Sequence, residues 1–353
     1  MKVLITGGAG FVGSNLAVSL KNEYSNYEIV VLDNLKRRGS ELNLNKFKDL
    51  GIHFIHGDIR NVEDFNTIRN VDLVIDASAE PSVLAGLNEW PQQIININLI
   101  GTINILNFVL LNKAKLIFLS TSRVYPIKSL NKIKYNIGET RFKISPNQTL
   151  LGVSEKGVNE NFTLSGYRSI YGASKLASEL LIEEYRHFYN LDIVINRCGV
   201  IAGPNQMGKV DQGVTVLWVA KHFWKSNLSY FGFGGTGKQV RDVLHIDDLY
   251  ELIKAQFTSI SLYNEGVFNV GGANKSSFSL LELTKHCQIV TGNSIDIKSV
   301  KEDRQADIPL YITDNSKIND IDGWKPNQTI EDVVSDIYTW IKKNERQLKP
   351  ILN

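Results

Sequence analysis

Short apolar runs alternate with longer amphipathic stretches along the first half of the chain. VLIT (3–6) predicts a strand, and the pattern then turns helical from about Val12 to Glu23. EIVVLD (28–33), HFIHGD (53–58), VDLVIDAS (71–78), KLIFLS (115–120) and DIVINRC (192–198) predict further strands. Helices are expected over roughly Gln93 to Leu111 and over 171–189. Strands such as VLIT and LIFLS are apolar at successive positions, as strands covered on both faces are. Repeated strand–helix alternation predicts an α/β fold, a Rossmann-type doubly wound parallel sheet.

After Cys198 the pattern loosens. Gly203-Pro204 and GFGGTGKQ (232–239) read as loops, with a short helix near 214–226 between them. LHIDDLYELIKAQ (244–256) reads as a helix and VFNVGG (267–272) as a strand. Two more helices are expected near 279–291 and 329–344. The expected division is a dinucleotide-binding domain of 1–199 with 240–272, and a smaller, interleaved substrate domain of 200–239 with 273–353.

Composition narrows the function classes. The 353 residues are 43% hydrophobic and 22% charged, an ordinary globular balance. A net charge of +2 gives no reason to expect a nucleic-acid partner. The run Lys36-Arg37-Arg38 reads first as a solvated loop. Cys198 and Cys287 are too few and too far apart for a disulfide framework or a cysteine-built metal site, and fit a reducing compartment. The N-terminal MKVLITGG has too short an apolar run for a secretion signal. The apolar region 94–119 is interrupted by Asn96, Asn98, Asn104, Asn107, Asn112, Lys113 and Lys115, so it reads as a helix and a strand rather than a membrane span. No metal and no membrane partner are expected, and a cytoplasmic location is.

TGGAGFVGSN (6–15) lies between the first strand and the first helix, with Gly7, Gly10 and Gly13 spaced GxxGxxG. Glycine allows a tight turn and a close approach to a pyrophosphate. The helix start then offers free N–H groups and a positive dipole end. Asp33, at the tip of the second strand, can accept both ribose hydroxyls of NAD and would repel a 2′-phosphate, although Lys36, Arg37 and Arg38 would favour NADP. NAD is the expected cofactor. Asp58, after the third strand, either meets the adenine edge or simply closes a strand-end turn.

YGASK (171–175) sets Tyr171 and Lys175 four apart on one helix face. A free tyrosine has a pKa of about 10, and a nearby ammonium favours phenolate. Tyr171 can then take the proton of an alcohol as hydride leaves for NAD. The apolar strand KLIFLS runs into three hydroxyls, Ser120, Thr121 and Ser122. Ligands bind at the C-terminal edge of a parallel sheet, so one of these can hydrogen-bond the reacting oxygen. The other two are expected to cap the turn.

Together TGGAGFVG, HGDIRN, the strand-end STS, YGASK and KQVRDVLHIDD resemble the extended short-chain dehydrogenase/reductases that act on nucleotide-diphosphate sugars, over nearly the whole chain. VLDNLKRRGS, HGDIRN, DQG (211–213) and GKQVRDVLH (237–245) are most similar to its CDP-hexose 2-epimerases, the CDP-paratose/CDP-tyvelose type. The resemblance implies catalytic roles for Thr121, Tyr171 and Lys175. It places Phe11, Val12, Asn34, Ile59, Ala77, Ala79, Asn98 and Cys198 on the cofactor. DASAE departs from the family's usual HLAG or HLAA, and Glu80 in it is expected to touch the sugar. Gln212, Gln239, Arg241, Arg304 and Asp307 are implied on the nucleotide sugar, Arg241 alternatively pairing with Asp242 or Asp247. Sugar 4,6-dehydratases carry Asp-Glu directly after the catalytic Thr, whereas Ser122 and Arg123 stand here. Elimination then lacks a proton carrier, while epimerisation by transient oxidation needs none. The expected reaction is inversion at carbon 2 of a CDP-hexose. The alternatives are a UDP-sugar 4-epimerase and a non-catalytic dinucleotide sensor. A homodimer or homotetramer is expected, its apolar helix faces forming a bundle.

Overall fold

The first apolar runs become neighbouring strands. These are β1 (Lys2–Thr6), β2 (Glu28–Asp33), β3 (His53–His56), β4 (Leu73–Asp76) and β5 (Lys115–Thr121). A computed structural model describes residues 1–86, 90–208, 212–264, 266–304 and 306–353. β1 is parallel to β2 on one side and β4 on the other, with Leu4 opposite both Val30 and Val74. β3 extends the sheet beyond β2, and β5 beyond β4. The strand Ile193–Cys198 lies beyond β5, where the Leu116 N–H donates to the Asp192 carbonyl at 2.9 Å. Sheet growth therefore reverses at β1, the switch point where α/β sheets bind ligands.

Val3, Leu4 and Ile5 of β1 are all fully buried, because helices cover both faces. On one face Ile105, Val109 and Ile182 join Leu4, Val74, Leu116 and Ile193 in one core cluster. Each such side chain contributes about 1.5–3 kcal/mol through removal of apolar surface from water. Ile105 and Val109 belong to the helix Gln92–Asn112, which is long and apolar enough to cross a membrane by length and composition alone. Burial of Ile94, Ile97, Ile105, Leu106, Phe108 and Val109 accounts for that composition. Its turn Asn96–Ile100 is π-helical.

The chain divides into two units. The first contains Met1–Val124, Ile170–Arg197 and Leu249–Val267, and the second Tyr125–Ser169, Cys198–Asp248 and Phe268–Asn353. Residues 125–169, 198–199, 240–248 and 268–272 thus fall in the other unit from the one the sequence suggested, and the second unit is not the smaller of the two. The physical reason lies in their pairing. Val240–His245 is a strand that runs parallel to Val200–Ala202 and Leu310–Tyr311 and antiparallel to Ser277–Ser279. Arg141 reaches from the hairpin Tyr135–Ile144 to the carboxylate of Glu282 and to Ser277 Oγ, the latter at 2.8 Å. Leu244 and His245, expected to be helical, end that strand, and the helix begins at Ile246.

Asp242 is buried in the middle of this strand. Its Oδ2 accepts the N–H groups of Ala273 at 3.0 Å and Thr313 at 3.2 Å. A Cβ on Gly271 would lie 2.4 Å from that oxygen, so the close approach requires glycine. The helix Leu280–Thr291 starts with a reciprocal cap between Ser279 and Glu282. It packs with Val214–Phe223 and Ile330–Lys343.

Candidate active site

The turn after β1 is shaped for backbone approach. Gly7 has φ of +63°, and a Cβ there would sit 2.7 Å from the Ala77 carbonyl oxygen. A Cβ on Gly13 would lie 2.4 Å from the Gly7 carbonyl oxygen. Gly10 is the N-cap of the helix Phe11–Glu23 and leaves its first N–H groups without a side-chain cap. Phe11 and Val12, both half-buried, open that first turn.

Asp33 ties β2 to the glycine turn. Its Oδ2 accepts the Ala9 N–H at 3.1 Å and its Oδ1 the Leu35 N–H at 2.7 Å. Burial pushes its carboxyl pKa up, opposed by these backbone hydrogen bonds. Asp58 is held differently. Arg60 Nη2 donates to Oδ2 at 2.7 Å and Nε to Oδ1 at 2.9 Å, and Asn34 Nδ2 donates to Oδ2 at 2.8 Å. The Arg60 hydrogen bonds are the main reason its pKa lies far below the usual carboxylate range. Asp58 therefore organises a strand-end turn, and Asn34 and Arg60 are part of it. Arg60 was missed because nothing in its spacing separates it from a solvated arginine. Ile59 is buried, and its side chain fills the space beside Gly101.

Asn98 sits in the π-helical turn and is 2% exposed. Its Oδ1 accepts the Glu80 N–H at 2.9 Å, while Nδ2 donates to the Glu80 carbonyl at 3.2 Å and Ser174 Oγ at 3.1 Å. The backbone of Glu80, just after Ala77 and Ala79, is thereby fixed to the helix Ile170–Tyr189. Ser178 Oγ donates to the Asn98 carbonyl at 2.7 Å. Ser174 and Ser178 went unnoticed in the sequence, although both lie on the face of Tyr171 and Lys175.

That helix packs on β5 and on the turn Ser122–Val124. Tyr171 and Lys175 are both buried, Lys175 at 1% exposed. The Lys175 ammonium lies 3.8 Å from the centre of the Phe118 ring, a cation–π contact. The strand-end hydroxyls have separate tasks. Ser120 Oγ donates to the Glu179 carboxylate, and Thr121 Oγ1 accepts the Arg123 N–H at 3.1 Å. Accepting uses a lone pair, so the Thr121 hydroxyl keeps the proton a sugar oxygen needs.

Within the second unit, Arg241 pairs with Asp307 rather than Asp242 or Asp247. Its Nη2 donates to Asp307 Oδ1 and the Ile308 carbonyl, each at 2.8 Å. The Arg304 guanidinium lies 3.9 Å from the centre of the Phe231 ring, and Gln239 Nε2 donates to the Phe231 carbonyl at 3.0 Å. Phe231 thus joins two predicted residues, and its place before the glycine-rich stretch was the only hint. Gln212 is half-buried, and Cys198 is buried. Asp211 of DQG and Gln305 of RQAD lie outside the described residues.

Residues 3–271 match the model of the NAD dependent epimerase/dehydratase family. The chain belongs to that family. This epimerase/dehydratase chain is 32% identical to CDP-paratose 2-epimerase of Salmonella typhi over 350 residues, 96% of its own length and 99% of the relative's. It is 27% identical to a putative UDP-glucose 4-epimerase of Methanocaldococcus jannaschii, over 98% of this chain and 99% of the other. The UDP-glucuronic acid 4-epimerase of Bacillus cereus, solved with UDP-glucuronic acid and NAD, superposes with a TM-score of 0.78 at 25% identity, covering 97% and 99% of the two chains. NAD is the family's cofactor, and the residues present fit it. Side chains at Gly7 and Gly13 would collide with the backbone of Ala77 and Gly7, so the turn stays tight and bare of side chains at the helix start, and Asp33 retains lone pairs for ribose hydroxyls. Like its relatives, the epimerase/dehydratase chain is an NAD-dependent enzyme of nucleotide-sugar metabolism.

Proposed function

We propose that this enzyme inverts carbon 2 of a CDP-hexose of the paratose/tyvelose type. The observation that carries the reading is the 32% identity to CDP-paratose 2-epimerase along 96% of the chain. The acid-free pair Ser122-Arg123 after Thr121 supports epimerisation over elimination. NAD held at the glycine turn and Asp33 would supply a reversible hydride acceptor, which would allow an alcohol carbon to be oxidised to a ketone and reduced again on its other face. Tyr171 takes the hydroxyl proton as the carbon is oxidised and gives it back on reduction. Lys175 keeps positive charge near that phenol and favours its ionised form. Thr121 donates a hydrogen bond to the reacting oxygen, and Glu80, Ser122 and Arg123 orient the sugar. In the second unit Arg241, Arg304 and Asp307 hold the diphosphate and ribose, with a guanidinium matched to phosphate oxygens. Gln212 and Gln239 contribute further polar contacts.

Within the first unit the NAD site is assigned to Gly7, Gly10, Gly13, Asp33, Ala77, Ala79 and Asn98, with Asp58 ordering the strand-end turn through Asn34 and Arg60. The enzyme acts in the cytoplasm, in keeping with a chain that carries only two cysteines, both buried. It self-associates through helix faces bearing exposed Leu111, Leu180 and Phe188, which light scattering tests.

Incubation with CDP-paratose, CDP-glucose and UDP-glucose in deuterated water tests the reaction. Conversion of CDP-paratose without deuterium at carbon 2 is expected. Tyr171→Phe should lower kcat by about 10²–10⁴-fold. Deuterium at the inverted carbon would replace internal hydride return with an enolising route. Turnover of UDP-glucose alone would favour the 4-epimerase assignment.

A further inference from the structure

The helix Ile170–Tyr189 carries a buried acid that the proposed chemistry does not use. Glu179 lies four residues beyond Lys175 and eight beyond Tyr171, on the same helix face. It is 2% exposed. Its carboxylate is taken by residues from two adjacent strands. Ser120 Oγ donates to it from β5. From the strand Ile193–Cys198, Arg197 Nε donates to both oxygens at 3.2 and 3.1 Å, and Nη2 donates to Oε2 at 2.7 Å.

Two details relate this cluster to the chemistry. Ser120 directly precedes Thr121, so whatever fixes Ser120 fixes the hydroxyl assigned to the sugar oxygen. Phe118 stands two residues before Ser120, on the same face of β5, and carries the Lys175 ammonium on its ring. The helix is thus fastened to one strand face at successive turns, Lys175 on Phe118 and Glu179 on Ser120. The hydrophobic effect is non-directional, so by itself it discriminates less sharply between neighbouring registers than a hydrogen bond does. A carboxylate fixed by hydrogen bonds from two strands permits one axial register.

We propose that Glu179 and Ser120 are positioning residues of the reaction: their hydrogen bond, backed by Arg197, sets the Tyr171–Lys175 pair against Thr121. The proposal rests on the catalytic reading above. A purely stabilising cluster would change the folding equilibrium and leave the folded enzyme's kinetics alone.

Ser120→Ala removes one small hydroxyl and leaves the Glu179–Arg197 pair intact. In the NAD-loaded enzyme it should lower kcat about tenfold or more, since small misplacements of reacting groups are costly, with KM for CDP-paratose nearly unchanged. It should also move the Tyr171 limb of the kcat–pH profile. Ser120→Thr, which keeps the hydroxyl, should recover most of the rate. Ultraviolet difference titration of wild type against Tyr171→Phe reads the phenol without any substrate, and Ser120→Ala should shift that titration. Unchanged kcat, pH profile and titration in Ser120→Ala, with Tyr171→Phe inactive, would remove the positioning role and leave the catalytic reading standing. A Tyr171→Phe enzyme as active as wild type would remove both.

Discussion

Glu179 and Asp242 are both buried carboxylates, yet the protein treats them in opposite ways. Glu179 has a guanidinium and a hydroxyl on its oxygens. Asp242 is met chiefly by backbone N–H groups, and among the described residues it forms no ion pair. Burial dominates there and pushes its pKa up to about 6. The lesson concerns what replaces water around an acid. A guanidinium fixes the geometry of Glu179 through charge-assisted hydrogen bonds, whereas the mainly neutral donors at Asp242 do not offset its burial.

The largest effect should come from breaking the Glu179 cluster. Arg197→Met leaves the glutamate buried without its cation, and denaturant titration should report a loss of about 3–5 kcal/mol. Replacing both, as Arg197→Met with Glu179→Met, should recover much of that stability, because well-packed apolar groups often substitute for buried ion pairs without loss. The double variant should still turn over slowly, which separates register from stability.

Asp242 gives the next effect, with a defined sign. Below about pH 4 its carboxyl is protonated in both folded and unfolded chains. Between about 4 and 6 only the folded chain keeps the proton, so stability falls as pH rises through this window. About 3 kcal/mol is lost across it, from a displacement of about two pH units. Asp242→Asn should abolish this component. Chemical denaturation of wild type and variant between pH 4 and 7 checks it, and parallel curves would break the comparison with Glu179.

The smallest effect concerns a carboxylate that is capped and paired. Glu282 is lowered to about 2, where the Arg141 and Thr140 side chains and the Ser279 N–H outweigh its burial. Ser279→Ala should cost about 1 kcal/mol through loss of the helix cap, read by thermal unfolding, with kcat unchanged.

The first unit was legible because its strands are continuous apolar runs and its helices keep a 3.6-residue period. The places of Thr121, Tyr171, Lys175 and the glycine turn in the fold could be read for the same reason, since each lies at the end of a strongly patterned element. The second unit resisted. VRDVLH (240–245) buries Asp242 and His245 within a strand, which erases the hydrophobic signal and let 244–256 pass for one helix. The hairpins around 135–144 and 153–158 have strands of two or three residues, too short for any period. Arg241 had acids nearby in sequence, yet its partner is Asp307, 66 residues away. Glu179 looks like a solvated helix residue until the fold brings Arg197 beneath it.

The widened turn at Asn96–Ile100 bears on how this chain tolerates change in length. Its carbonyl at Asn98 receives the hydroxyls of both Thr102 and Ser178. Losing or gaining one residue between Gln92 and Asn98 would swing the asparagine by about 100° around the axis, away from Glu80 and Ser174 together. A surface loop can change length at small entropic cost, whereas a change in the residue count of this coil breaks several buried hydrogen bonds at once.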